Sequence, residues 1–187
     1  ALVVGEALKF IEAKAKESFF LYLALNTPHA NNEGGKGDFQ RGMEVPDYGP
    51  FADRDWPDHE KGFARMMHDI DLTAARVMEK LRQLGIAENT LVVFTSDNGP
   101  HQEGGHEVDF FDSNGPLKGR KRDLYEGGIR VPMIAWWPGK VPAGAVSDHL
   151  SGFQDWMPTF AELAGIEAPK SDGLSLLPTL QGRAKAQ

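Results

Sequence analysis

Apolar positions recur along this chain with two different periods. From Leu2 to Lys16 the sequence places Leu8, Ile11 and Ala15 on one face, with lysines and glutamates elsewhere, which predicts an amphipathic helix. Phe19 to Leu25 reads F-F-L-Y-L-A-L, a nearly continuous apolar run that predicts a strand covered on both faces. Lys61 to Leu84 is the strongest helix, with apolar positions Phe63, Met66, Met67, Ile70, Val77, Leu81 and Leu84, and Gly85 as its stop. Leu91 to Thr95 predicts a second buried strand, and Val131 to Trp137 a third, closed by Pro138-Gly139. A short helix is expected from Asp155 to Leu163, ending at Gly165, and the tail from Pro169 onward reads as irregular.

Helices alternating with two-sided buried strands predict an α/β fold, a mostly parallel sheet flanked by helices. Two long polar stretches, Asn26 to Asp58 and Ser96 to Arg120, leave the ends of two of these strands. Loops of that length inside a compact domain are usually functional, and in open α/β sheets ligands bind beyond the carboxyl ends of the strands. Both stretches open with polar groups fit for chemistry: His29 in the first, and Asp97, Asn98 and His101 in the second.

Composition narrows the partners. The 187 residues, 41% hydrophobic and 25% charged, suit one soluble globular domain with a sizeable core. A formal net charge of −7 argues against nucleic acid or an anionic membrane surface as a partner, so an anionic substrate would need a local cluster of positive groups. No apolar run approaches the length that spans a bilayer. With no cysteine, disulfides, thiolate metal sites and a cysteine nucleophile are excluded within these residues.

The sharpest chemical signal is Phe94-Thr95-Ser96-Asp97-Asn98-Gly99-Pro100-His101, where an apolar run ends in a carboxylate, an amide and a glycine. Asp97 and Asn98 offer oxygens suited to Ca²⁺ or Mg²⁺ and no soft donor. The same residues also suit an Asp-Asn-Gly turn closing a strand. Pro28 restricts the backbone ahead of His29 and would aim its imidazole, unless His29 is simply a solvated loop histidine. Lys121 lies among Lys118, Arg120 and Arg122, a basic run that either binds an anionic ester or is a solvated loop. His101, Glu103 and His106 around Gly104-Gly105 could add ligands or substrate contacts, but their spacing matches no metal motif.

Taken together, several stretches resemble the sulfatases, the formylglycine-dependent sulfuric ester hydrolases of the alkaline phosphatase superfamily. They are F-F-L-Y-L-A-L-N-T-P-H-A (Phe19 to Ala30), N-T-L-V-V-F-T-S-D-N-G-P-H (Asn89 to His101) and N-G-P-L-K-G-R-K-R-D-L-Y-E-G-G-I-R-V-P (Asn114 to Pro132). W-W-P-G-K (Trp136 to Lys140), D-W-M-P-T-F-A-E-L-A-G-I (Asp155 to Ile166) and D-G-L-S-L-L-P-T-L (Asp172 to Leu180) follow in family order. The resemblance implies an alkaline-phosphatase-like fold with Asp97 and Asn98 as ligands of the active-site divalent cation, usually Ca²⁺. It implies that His29 and Lys121 contact the sulfate group or the leaving oxygen, and that His101 is a substrate-side residue. The substrate would be a sulfated small molecule or carbohydrate, and the compartment periplasmic or extracellular.

One departure is large. The family carries its nucleophile in a C/S-x-P-x-R motif whose Cys or Ser becomes formylglycine, and no such motif occurs here. The family's upstream Asp pair and its G-K-W-H-like motif are missing as well. The chain thus reads as the middle portion of a sulfatase: residues 1–187 are part of one α/β domain, incomplete without an upstream nucleophile-bearing part and a C-terminal subdomain. Alone it is expected to be inactive, and to self-associate through uncovered sheet near Phe19 to Leu25 or Leu91 to Phe94. Two other readings stand beside this one, a phosphonate or phosphate ester hydrolase of the same superfamily and a non-catalytic truncated paralogue. Asn98 favours a hard-cation site over the Asp-His pair typical of the dizinc members.

Overall fold

The computed structural model describes residues 2–32 and 42–183, so the 33–41 part of the first long loop lies outside the described residues. The chain divides into two compact units, Ala1–Gly85 with Thr95–Met133, and Ile86–Phe94 with Ile134–Gln187.

In the first unit helix α1 spans Leu2–Lys14 and buries Val4, Ala7 and Ile11, one position round from the face centred on Leu8 that the sequence suggested. It packs on α2, Asp58–Gln83, where Lys80 Nζ reaches Glu12 Oε2 at 3.2 Å. Helix α2 buries Phe63, Met66, Ile70 and Leu81 at helical spacing and stops where Gly85 turns left-handed at φ 69°. Met67, expected on that face, is 44% exposed. The core of the unit joins Phe63 and Met66 of α2 to Ala30 and Met43 from the long loop, with Val45 and Phe111 packed against them. Loop and helix meet closely at Gly62, where a Cβ would fall 2.3 Å from the Met43 carbonyl oxygen. The first loop is therefore pinned to α2 through Ala30 and Met43, both of which follow His29. Short α3, Glu126–Ile129, buries Gly127 and Gly128.

The second unit holds a two-stranded sheet of β1, Val92–Thr95, and β2, Met133–Trp136, whose ends Thr95 and Met133 belong to the first unit. Trp137 Nε1 donates to the Glu88 carbonyl at 2.8 Å beside it. Helix α4, Trp156–Ala164, ends at Gly165 in the left-handed region, and a single turn α5, Leu177–Leu180, packs on it. That turn corrects the expectation of a wholly irregular tail: Leu176, Leu177 and Leu180 are buried. Asp155 ties the unit together by accepting from the Gly152 and Leu174 backbone N–H groups at 2.7 and 2.8 Å.

The fold is a partial α/β arrangement, as expected, but with fewer strands than the sequence promised. Phe19 to Leu25, read as a strand covered on both faces, is not one of the two strands among the described residues. It lies outside every helix and strand, its exposure alternates, and Phe20 and Tyr22 are 67% and 81% exposed. Strands β1 and β2 are likewise not covered on both faces, since Phe94 and Ile134 are exposed. A strand needs a ladder partner on its edge and a packed layer on its face, and apolar sequence alone supplies neither.

Candidate active site

The chain just before the core contact at Ala30 makes a turn in which the His29 N–H donates to the Asn26 carbonyl at 2.9 Å. His29 is thus fixed on both sides by backbone while about half its side chain, 54%, stays exposed. Its Nδ1 lies 2.8 Å from the Ala30 carbonyl oxygen, which can only accept, so Nδ1 carries the proton in the neutral ring. The other nitrogen, Nε2, is then a lone-pair acceptor. It faces Lys121 Nζ at 3.1 Å, across 92 positions of sequence.

Lys121 reaches that point because its segment is stitched to the second loop. Its backbone N–H donates to the Pro100 carbonyl at 2.8 Å, and the Gly99 N–H donates to the Gly128 carbonyl at 2.9 Å. A Cβ on Gly99 would fall 1.9 Å from the Gly127 carbonyl oxygen, so the close approach requires glycine there. The Lys121 ammonium also donates to Glu103 Oε2 at 3.3 Å, and the Arg122 guanidinium stands 2.5 Å from Glu103 Oε1. Consecutive side chains converge on one carboxylate because Arg122 adopts φ 80°, a left-handed conformation uncommon for a residue with a Cβ. Lys118, by contrast, lies over the Tyr125 ring at 3.9 Å and takes no part in the cluster.

Glu103, which the sequence offered only as one of three residues around Gly104-Gly105 that could add ligands or substrate contacts, is the carboxylate at the centre of this cluster. Its side chain is only 9% exposed and lies 3.8 Å from His29 Nε2 as well. Burial pushes its carboxyl up, but Lys121, with Asn32 and Arg122, outweighs burial and holds it below the usual carboxylate range. Its spacing to His101 and His106 matched no motif, and the basic run that it pairs with lies 18 positions further along the chain.

Asp97 and Asn98 sit on the same stitched loop, just ahead of Gly99, without a hydrogen bond or ion pair to the His29, Lys121 and Glu103 cluster. Asp97 is exposed, and its carboxylate makes no ion pair among the described residues. Asn98 Nδ2 donates to the Gly99 carbonyl at 2.8 Å, which turns the amide oxygen away from that bond and leaves it free to accept. The Ser96 hydroxyl, 3.0 Å from the Asn98 carbonyl, braces the turn.

Against this geometry, the family model for sulfatases matches residues 1–166. The chain belongs to the sulfatase family. Human N-acetylgalactosamine-6-sulfatase is 40% identical over 196 residues, an alignment covering 97% of this chain and 32% of that protein. The crystal structure of Ps i-CgsB, also solved in complex with k-i-k-neocarrahexaose, superposes with a TM-score of 0.79 at 34% identity and covers 97% of this chain and 38% of that one. BT4656, in complex with its substrate D-glucosamine-2-N,6-O-disulfate, is 30% identical with a TM-score of 0.56, covering 70% of this chain and 24% of that one. The chain therefore spans about a third of the length of the relatives it matches. The fold is the alkaline-phosphatase-like fold of these sulfatases, present in part.

A divalent cation, as the resemblance implies, fits the sulfatase oxygens present. One exposed carboxylate and one free amide oxygen are hard donors on a braced turn, and no nitrogen or sulfur competes for the ion there. They would supply two of the six to eight oxygens that Ca²⁺ takes, and the described residues contain no group of three or more His, Cys, Asp or Glu that could hold a metal ion.

His101, expected on the substrate side, is 6% exposed with both ring nitrogens engaged. Nε2 lies 3.0 Å from the Pro28 carbonyl and must be the donor, while Nδ1 accepts the Glu103 backbone N–H at 3.1 Å. The ring ties the His29 turn to the Glu103 loop and offers neither nitrogen to a ligand. Burial, opposed by the Pro28 bond, lowers its pKa from the ordinary value near 6.5. A lowered folded-state pKa means that the unfolded chain binds the proton more readily. The stabilisation is complete above about pH 6.5 and is lost as pH falls through the depressed folded value. Urea midpoints at pH 7.5 and 5.5 should drop more for the native protein than for His101→Gln, whose amide can keep both bonds without titrating. Equal drops would remove His101 as the source.

Proposed function

We propose that the sulfatase containing this segment hydrolyses sulfate esters of carbohydrates, with His29 and Lys121 at the sulfate group and Asp97 and Asn98 on a divalent cation, Ca²⁺ or Mg²⁺. The observation that carries the reading is the 3.1 Å contact of Lys121 Nζ with His29 Nε2. It brings a positive charge and a proton acceptor together, on a segment whose backbone is bonded to Pro100, three residues past Asp97. Of the three ammonium protons, one goes to His29 and one to Glu103, leaving one for a sulfuryl oxygen. Through this Nζ–H···Nε2 bond Lys121 can hand a proton to the alcohol oxygen as it leaves, directly or by way of His29 Nε2. When bound, the cation adds positive charge against the sulfuryl oxygens. The nucleophile, by family resemblance a formylglycine, comes from outside these 187 residues.

A carbohydrate substrate is supported by the relatives. The human one is named for an N-acetylgalactosamine 6-sulfate, and two solved structures hold saccharides. The test joins this segment to the nucleophile-bearing part of the enzyme and measures sulfate released from a sulfated monosaccharide. Release is expected, and it should fall at least tenfold on chelation of the cation or with Asp97→Ala. Preferential hydrolysis of a phosphate monoester, or release indifferent to both treatments, would overturn the proposal.

A further inference from the structure

We propose that Glu103 sets the charge selectivity of this site, admitting monoanionic sulfate esters and penalising dianions such as phosphate monoesters and free sulfate. The inference rests on the reading above that Lys121 meets the sulfate group, and it assigns a separate role to a residue that does not itself bind the ester.

The argument is one of local charge. Lys121 and Arg122 bring two positive charges to the site, and Glu103, paired with both, subtracts one. The carboxylate is no rim acid that water can screen: it is nine-tenths covered, hydrogen-bonded to the ammonium and ion-paired to the guanidinium. An anion bound by the same ammonium sits within about 6 Å of Glu103, since each hydrogen bond to Nζ spans about 3 Å. At that distance, with partial solvent screening, the repulsion costs about tenfold in affinity for every negative charge the incoming group carries. A sulfate ester carries one negative charge. A phosphate monoester approaches two near neutral pH, because its second proton leaves near pH 6, and inorganic sulfate carries two. The penalty on a dianion is therefore about the square of that on a monoanion.

The arrangement is held from three directions, so Glu103 cannot simply swing away. The left-handed backbone at Arg122 aims two successive cations at one carboxylate. The Glu103 backbone N–H is fixed by His101 at 3.1 Å. Further along the same loop, Glu60 of α2 accepts from the Glu107 N–H at 2.8 Å and pairs with buried His106 at 2.7 Å. The same penalty that rejects phosphate esters also helps expel the dianionic product once the ester bond is broken.

The test titrates methyl sulfate, a monoanion, and inorganic sulfate, a dianion, into the 187-residue chain and follows the His29 ring protons by NMR. With Glu103→Gln, which keeps the size and an acceptor for Lys121, sulfate should bind about a hundredfold tighter and methyl sulfate about tenfold tighter. Arg122→Gln, on a side chain 73% exposed, removes a positive charge and should shift both in the opposite sense, again with sulfate affected more. Equal changes for the two anions in both variants would overturn the selectivity role of Glu103. Lys121→Ala separates the two readings: it should weaken both anions, and if it alters neither, the sulfate-binding site itself is wrong. No shift with either anion in any variant has the same consequence.

Discussion

Replacing Lys121 with alanine is expected to lower kcat/KM for a sulfate ester by about a thousandfold in the completed sulfatase. In the proposed site the ammonium would supply positive charge where negative charge lies on the sulfuryl oxygens, from a position only 17% exposed, where water substitutes poorly. The loss should appear in kcat as well as in KM, since the transition state loads more charge onto the leaving oxygen than the bound ester does. Arginine should not rescue the variant. Its planar guanidinium cannot donate to His29 Nε2 and Glu103 Oε2 from one nitrogen while pointing a third proton elsewhere. Steady-state kinetics on a sulfated sugar, with circular dichroism to confirm that the fold survives, makes the measurement. A loss below tenfold would take Lys121 out of the active site.

The largest effect on stability is expected from Glu60→Ala. Glu60 and His106 are 1% and 0% exposed, and the carboxylate accepts both from His106 Nδ1 at 2.7 Å and from the Glu107 N–H at 2.8 Å. The His106 ring stacks on Phe63 with centroids 3.7 Å apart, so it cannot turn out to water without opening the core. Alanine would strand the buried His106 donor and the part-buried Glu107 N–H, at a cost of about 3 kcal/mol to the unit built on α2. Glu60→Gln should cost about half as much, because the amide oxygen can still accept one of the two bonds. Urea denaturation followed by tryptophan fluorescence provides the comparison. A cost under about 1 kcal/mol for the alanine variant would show that the pair contributes little.

The pair matters to the site because the Glu60 anchor lies at one end of the loop that carries His101 and Glu103. Nothing in the periodicity of α2 indicated it. Glu60 falls in the first helical turn, where an acid is ordinarily explained by the helix dipole, and its partner lies 46 residues away. Trp56, Phe110 and Phe111 also cluster near this loop, with Trp56 5.3 Å from Phe111 centroid to centroid. Their contacts likewise join segments too distant in sequence for any local pattern to connect.

Local sequence determined the three longer helices of this protein and the chemical types of its site. Apolar spacing located α1, α2 and α4, and Gly85 and Gly165 ended the latter two because a left-handed residue closes a helix most cheaply without a Cβ. The run of motifs placed the chain in the sulfatase family and marked His29, Asp97, Asn98 and Lys121, because each chemistry admits only a few side-chain types. Tertiary structure decided what those residues touch. The pairing of Lys121 with His29, the carboxylate of Glu103 beside them, and the bond of His101 to Pro28 depend on contacts between distant segments. The fate of Phe19 to Leu25 was decided there too. An apolar run carries the propensity for a strand, but neighbouring backbone and a covering layer make it one, and both come from elsewhere in space.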